Sequence, residues 1–253
     1  MRALATMLLV ATVLYALVCL GIYVDQRKRI YYPAPRATAA ESMQLAVDGA
    51  TLVVTTRALE APAALIYFGG NAEDVSGSLQ TLAQAFPGHA LYLLHYRGYG
   101  GSTGEPTEAN LFADARALFD KAHARHRNVV LIGRSLGSGV AMHLASERPV
   151  ARMVLVTPYD SLADIAAHYF PWLPIRLLMK DKFDSWRYVP KVGVPVTVIM
   201  AEHDEIIPRA NSERLLARFA PGQARAIVIP GAGHNDLSAH PAYVPALRSV
   251  PAQ

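Results

Sequence analysis

The chain has 253 residues, 24 Lys and Arg against 20 Asp and Glu for a net charge of +4, and 52% hydrophobic residues. That length suits one domain, and so apolar a composition excludes a disordered or fibrous chain. The basic residues are scattered apart from Arg27-Lys28-Arg29, which argues against nucleic-acid binding. The single cysteine, Cys19, excludes an intrachain disulfide, and no Cys/His set has zinc-ligand spacing.

Residues 3–24 form an uncharged, almost wholly apolar run of 22 residues, followed by Asp25 and the basic triplet. About 20 helical residues span a bilayer core, so this run is expected to be a membrane anchor. A cleaved signal peptide is the rival reading, but its basic n-region would be Arg2 alone and no Ala-x-Ala site ends the run. A soluble buried helix is a third reading. Arg27, Lys28, Arg29 and Arg36 on the C-side favour a cytoplasmic catalytic domain by the positive-inside rule, and both topologies stay open. The expected organisation is an anchor over 1–26, a connector over 27–42 and an α/β domain over 43–253. Tyr31-Tyr32-Pro33-Ala34-Pro35 reads as stiff and extended, because proline fixes its own φ and extends its predecessor.

Strands are expected over 43–47 and 51–56, a hairpin about Asp48-Gly49. Further strands are expected over 64–68, 91–95, 129–132, 153–156, 194–200 and 226–229. Helices are expected over 75–86, 108–125, 138–146 and 209–219, with a proline-rich stretch from Pro241. This alternation implies a mostly parallel sheet with helices on both faces. Residues 160–188 break the rhythm with Tyr169, Phe170, Trp172, Phe183, Trp186 and Tyr188, and read as a small cap insertion or as an ordinary connecting helix pair.

The apolar run 129–132 leads directly into Gly133-Arg134-Ser135-Leu136-Gly137 and then a helix-compatible stretch. A serine there sits on a tight strand-to-helix turn, with room made by the flanking glycines. Ser135 is therefore the candidate nucleophile, with a capping serine in a Gly-rich turn as the structural alternative. A serine hydroxyl needs a base, itself oriented by an acid. Asp204 follows a late strand by 69 residues from Ser135. His234 follows the next strand by 30 more, in the Gly-rich loop Pro230-Gly231-Ala232-Gly233. Both fall at strand carboxyl ends, where sites of open α/β sheets form. The competing bases are His203, His240, His168 and His143; the competing acids are Glu202, Glu205, Asp236 and Asp160. An oxyanion would be held by the N–H of Leu136 and by that of Asn71, in Gly69-Gly70-Asn71-Ala72 after the strand 64–68. The Gly-rich Arg97–Ser102 stretch lacks both phosphate-binding fingerprints, so it is expected to support the site loops.

Together with Tyr96-Arg97-Gly98-Tyr99-Gly100-Gly101-Ser102, Thr157-Pro158-Tyr159-Asp160-Ser161-Leu162, Glu202-His203-Asp204-Glu205-Ile206-Ile207-Pro208 and Gly231-Ala232-Gly233-His234-Asn235, these segments occur in one order. The chain resembles the α/β-hydrolase-domain proteins that carry a single N-terminal membrane anchor, over about residues 45–240. The resemblance implies an α/β-hydrolase fold and serine hydrolysis of an acyl bond. Ser135, Asp204 and His234 would be nucleophile, acid and base, no cofactor or metal would be needed, and the substrate would be a small-molecule or lipid-like acyl compound. A carboxylic ester is the expected bond, with a peptidase or thioesterase as alternatives and an inactive membrane-tethered scaffold as a reading of another class. Members of that group often carry His-Gly-Asn at the oxyanion loop, where this chain has Gly69.

Overall fold

Apolar runs of five to ten residues, many of them β-branched, become strands because they are buried on both faces of one sheet. The computed structural model describes residues 1–37 and 39–249. Its strands are β1 (Ser42–Val47), β2 (Ala50–Arg57), β3 (Ala63–Phe68), β4 (Ala90–Leu94), β5 (Asn128–Arg134), β6 (Arg152–Val156), β7 (Val196–His203) and β8 (Ala224–Gly233). The helices are α1 (Arg2–Ile30), α2 (Leu79–Ala85), α3 (Glu108–His123), α4 (Leu136–Ala145), α5 (Leu162–Tyr169), α6 (Ile175–Leu178), α7 (Arg209–Leu216) and α8 (Tyr243–Arg248).

The sheet order is β1-β2-β4-β3-β5-β6-β7-β8. β1 and β2 form the expected antiparallel hairpin, β2 pairs antiparallel with β4, and the remaining neighbours are parallel. Side chains alternate across the sheet with period two. Leu65 and Tyr67 therefore join Leu82 of α2 and Leu247 of α8 on one face. Ile66 and Phe68 join Leu118 of α3 and Val140 and Leu144 of α4 on the other.

The chain leaves β3 for β4 on one side and returns to β5 on the other, with Phe68 opposite Gly133. The loops after β3 and β5 thus open in opposite directions from one point, and a crevice forms at that switch in open α/β sheets. β7 and β8 run side by side with His203 opposite Gly233, after a register shift at Ala201/His203. The residues that follow, Asp204 and His234, are brought together by that pairing.

Three local expectations change. α1 continues through the basic triplet to Ile30, so the helix takes four residues of the expected connector. β7 and β8 run on to His203 and Gly233 because their pairing persists, so His234 follows a strand end and Pro230–Gly233 is not a loop. α4 begins at Leu136, immediately after Ser135. The stretch 160–188 carries two short helices, α5 and α6, packed through Leu173, Ile175 and Met179 against Cys19 and Ile22 of α1. Thr38 of the connector and residues 250–253 lie outside the described residues.

Candidate active site

Ser135 has φ 49° and ψ −117°, a conformation that a non-glycine residue holds only at a cost of about 1–3 kcal/mol. Its surroundings impose it. The Ser135 N–H donates to Val156 O on β6 (2.9 Å), and Ser135 O accepts from Ser138 N (2.9 Å) and Ser138 Oγ (2.6 Å). The flanking glycines are obligatory for steric reasons: a Cβ on Gly133 would strike Gly137 O, and one on Gly137 would strike Phe68 O. Leu136 is the first residue of α4, so its N–H belongs to the helix-terminal donors that lack an intrahelical acceptor.

His234 Nε2 lies 3.1 Å from Ser135 Oγ, and His234 Nδ1 lies 2.9 Å from both Asp204 oxygens. A carboxylate only accepts, so in neutral His234 the Nδ1–H donates to Asp204 and Nε2 keeps its lone pair for the serine hydroxyl. The His234 and Asp204 side chains are 5% and 7% exposed, which shields their interaction from water. Asp204 is held in turn by the N–H groups of Ile206 (3.0 Å) and Ile207 (2.7 Å). The three residues singled out from sequence spacing are thus brought into one hydrogen-bonded line.

The competing acids hold the loop that carries His234. Glu205 Oε2 accepts from His234 N (3.0 Å), Asp236 Oδ1 from Gly233 N (2.7 Å), and Glu202 Oε2 from Gly231 N (2.8 Å). Asp160 is occupied by Arg214 Nε (2.6 Å) and Asn211 Nδ2 (2.8 Å). Among the competing bases, His203 is exposed beside Glu202, His143 is stacked on Phe112 at 3.8 Å, His168 lies edge-on to Tyr169, and His240 Nδ1 accepts from Ala242 N.

The loop after β3 lies against the nucleophile: a Cβ on Gly70 would sit 3.5 Å from Ser135 Cβ. The Gly70 N–H is engaged by Glu73 Oε2 (2.6 Å), whereas among the described residues the Asn71 N–H has no acceptor. The Asn71 side chain is clamped at both ends. Its Nδ2 donates to Ile30 O (2.6 Å), and its Oδ1 accepts from Tyr32 N (2.9 Å) and Tyr99 OH (2.7 Å). Gly69 O accepts from Tyr96 OH (2.9 Å), and a Cβ on Gly69 would strike Val75 Cγ1. Glycine therefore stands at that position because Val75 fills the space a side chain would need. The Arg97–Ser102 stretch supports this loop through Tyr99, while Arg97 forms a buried bidentate pair with Asp114 (2.9 Å each).

Sequence reading missed one element, a buried ion pair under both loops. Glu73 accepts from Tyr67 OH (2.7 Å), Ser78 Oγ (2.9 Å), Gly70 N and Arg134 Nη1 (3.1 Å). Arg134 Nη2 donates to His234 O (3.1 Å). The pair ties the loop after β3 to the loop after β8. Its one sequence signal is an arginine within a turn whose neighbours are glycines and a serine.

Comparison with known proteins agrees with this architecture. The family model described as alpha/beta hydrolase fold matches residues 64–183. The chain is 37% identical over 254 residues to the uncharacterized protein Rv2307c of Mycobacterium tuberculosis, covering 93% of this chain and 89% of that one. It is 33% identical to the alpha/beta hydrolase domain-containing protein aho-3 of Caenorhabditis elegans, over 73% of this chain and 56% of that protein. Among solved structures, that of ferulic acid bound to Est1E from Butyrivibrio proteoclasticus superposes with a TM-score of 0.69 at 17% identity. It covers 81% of this chain and 96% of that one. With the sheet order, the turn at Ser135 and the family model in agreement, the chain belongs to the α/β-hydrolase family.

Proposed function

We propose that the protein is a serine hydrolase that cleaves an acyl bond, a carboxylic ester first of all, through a Ser135–His234–Asp204 triad. The observation that carries this reading is His234 Nε2 at 3.1 Å from Ser135 Oγ with Nδ1 held on Asp204 at 2.9 Å. His234 takes the hydroxyl proton as Ser135 Oγ attacks the carbonyl carbon, and Asp204 stabilises the imidazolium so formed. The carbonyl oxygen becomes an oxyanion held by the N–H groups of Leu136 and Asn71, each worth about 3 kcal/mol in the transition state. The tetrahedral adduct collapses, the alcohol leaves with the proton from His234, and water, deprotonated by His234, releases the acid from the acyl-enzyme.

The same proposal assigns residues 3–24 to the membrane. α1 is long and apolar enough to cross a bilayer, and none of its most apolar window is buried inside the protein. The α/β domain from residue 43 then carries the chemistry, with a cap over residues 160–188.

A fluorophosphonate probe tests the chemistry: it is expected to label the wild type and not Ser135→Ala. Labelling that survives the substitution refutes Ser135, and no labelling of the wild type favours a membrane-tethered scaffold. Rates on p-nitrophenyl esters, acyl thioesters and aminoacyl amides then separate esterase from thioesterase and peptidase. Resistance of the full chain to carbonate washing of membranes tests the anchor.

A further inference from the structure

The cap and α1 touch along a polarity gradient. At the C-terminal end of α1 the contacts are charged or polar. Arg27 Nε donates to Asp181 (3.0 Å), Gln26 bridges Leu178 O and Lys180 N, and Lys180 Nζ lies 4.0 Å from the Tyr23 ring centroid. Further toward the N-terminus they are apolar: Ile22 and Cys19 pack on Leu173, Ile175 and Met179. The last contact is Tyr15 OH donating to Trp172 O (2.9 Å). The segment 172–181 thus lies down the helix, and its polarity changes where that of α1 changes.

Tyr15 is nine residues before Val24, the end of the apolar run. At 1.5 Å per residue it lies about 13 Å inside that run, against a bilayer core about 30 Å thick. If residues 3–24 cross the membrane, a backbone carbonyl that touches Tyr15 is below the headgroups. The side chains presented there suit that depth: Trp172 is 59% exposed and Leu177 84% exposed, with Phe170 and Tyr169 half exposed beside them. Proline at 171 and 174 removes two backbone donors from the same tip. Lys28 and Arg29, 85% and 67% exposed, stand at the level of the headgroups, where cations favour anionic lipid.

We propose that the cap tip, through Tyr169, Phe170, Trp172 and Leu177, is a membrane-insertion surface seated in the same leaflet that α1 leaves. This rests on the reading of α1 as the anchor. Tyr169 OH donates to Glu205 O and Ile206 O (3.2 Å each), and Glu205 holds the His234 loop, so the acid loop then lies at the bilayer surface.

The two tryptophans make the test direct. Trp172 is on the cap tip, whereas Trp186 lies between the Arg187 and Arg218 guanidinium groups, 5.2 Å from each. The full-length chain is reconstituted into phosphatidylcholine/phosphatidylglycerol nanodiscs with brominated acyl chains. The Trp186→Phe protein, which reports on Trp172, is expected to lose most of its emission relative to unbrominated lipid. The Trp172→Phe protein, which reports on Trp186, is expected to keep its emission. Adding Leu177→Asp to Trp186→Phe is expected to lower the quenching. Membrane insertion of the full chain with Trp172 unquenched by bromolipid overturns the cap surface alone, whether Trp172 is then reached by aqueous iodide or shielded by a second copy of the chain. Failure of the chain to insert at all overturns the anchor with it. Quenching needs no catalysis, so a failure of the Ser135 reading leaves the result intact.

Discussion

Replacing Glu73 by Gln removes one charge and almost no volume from beneath the site. Glu73 and Arg134 side chains are 10% and 13% exposed. Breaking a buried pair from one side leaves an uncompensated charge and costs about 3–5 kcal/mol. The glutamine oxygen still accepts from one of the four donors on Glu73, so the lower end, about 3 kcal/mol, is expected. For a domain of this size that is a fall in Tm of about 6–12 °C. The kinetic consequence is separate. Arg134 grips His234 O and Glu73 grips Gly70 N, so both loops beside Ser135 loosen together. Displacements near 1 Å at a reacting centre cost up to about 100-fold in rate. The assay is thermal unfolding of the full chain in detergent, alongside the second-order rate of fluorophosphonate labelling at a temperature where both proteins are folded. A variant that melts within about 1 °C of wild type and labels at the same rate would refute the claim that this pair positions the two loops.

Asp204→Asn should preserve the fold but favour the wrong tautomer of His234, lowering kcat by about 10⁴; ester hydrolysis within tenfold of wild type would remove Asp204 from the role. Asn71→Ala removes hydrogen bonds to Ile30, Tyr32 and Tyr99, worth about 1 kcal/mol each. It is expected to lower Tm and to reduce kcat more than it raises KM; an unchanged kcat counts against Asn71 as oxyanion donor. Burial pushes the Glu108 carboxyl up to about 7, against the N–H groups of Lys182 and Phe183, with Asp181 and Asp184 adding to the rise. The folded state therefore binds that proton more tightly than the unfolded chain. The contribution of Glu108 is fully present below its ordinary pKa of 4.5 and is lost as pH rises through about 7. Tm of Glu108→Gln measured across this window is expected to fall less with rising pH than that of wild type, and parallel curves would refute the assignment.

Much of this was legible in one dimension because the signals are local. Strand 129–132 running into Gly133-Arg134-Ser135-Leu136-Gly137 is a backbone constraint, since a side chain at Gly133 or Gly137 would collide with main-chain atoms. The period of the apolar runs likewise marked the eight strands, because burial on both faces leaves no polar alternation to hide them. The ends of β7 and β8 were missed: Glu202, His203, Gly231 and Gly233 have poor strand character, and pairing with a neighbour extends the strands through them.

What the chain alone determined is a set of residue types at strand ends: a serine on a strained turn, then a carboxylate, then an imidazole. Which carboxylate meets the imidazole was decided in three dimensions. Glu202, Asp204, Glu205 and Asp236 are near-equivalent as letters. The register of β7 on β8 sends Asp204 to the ring nitrogen and the other three to backbone N–H groups of the same loop. The Glu73–Arg134 pair, 61 residues apart, and the clamp of Ile30 and Tyr32 on Asn71 arise in the same way. Hydrogen bonds act over about 3 Å, and only the sheet order and the packing of α1 bring those groups within that range.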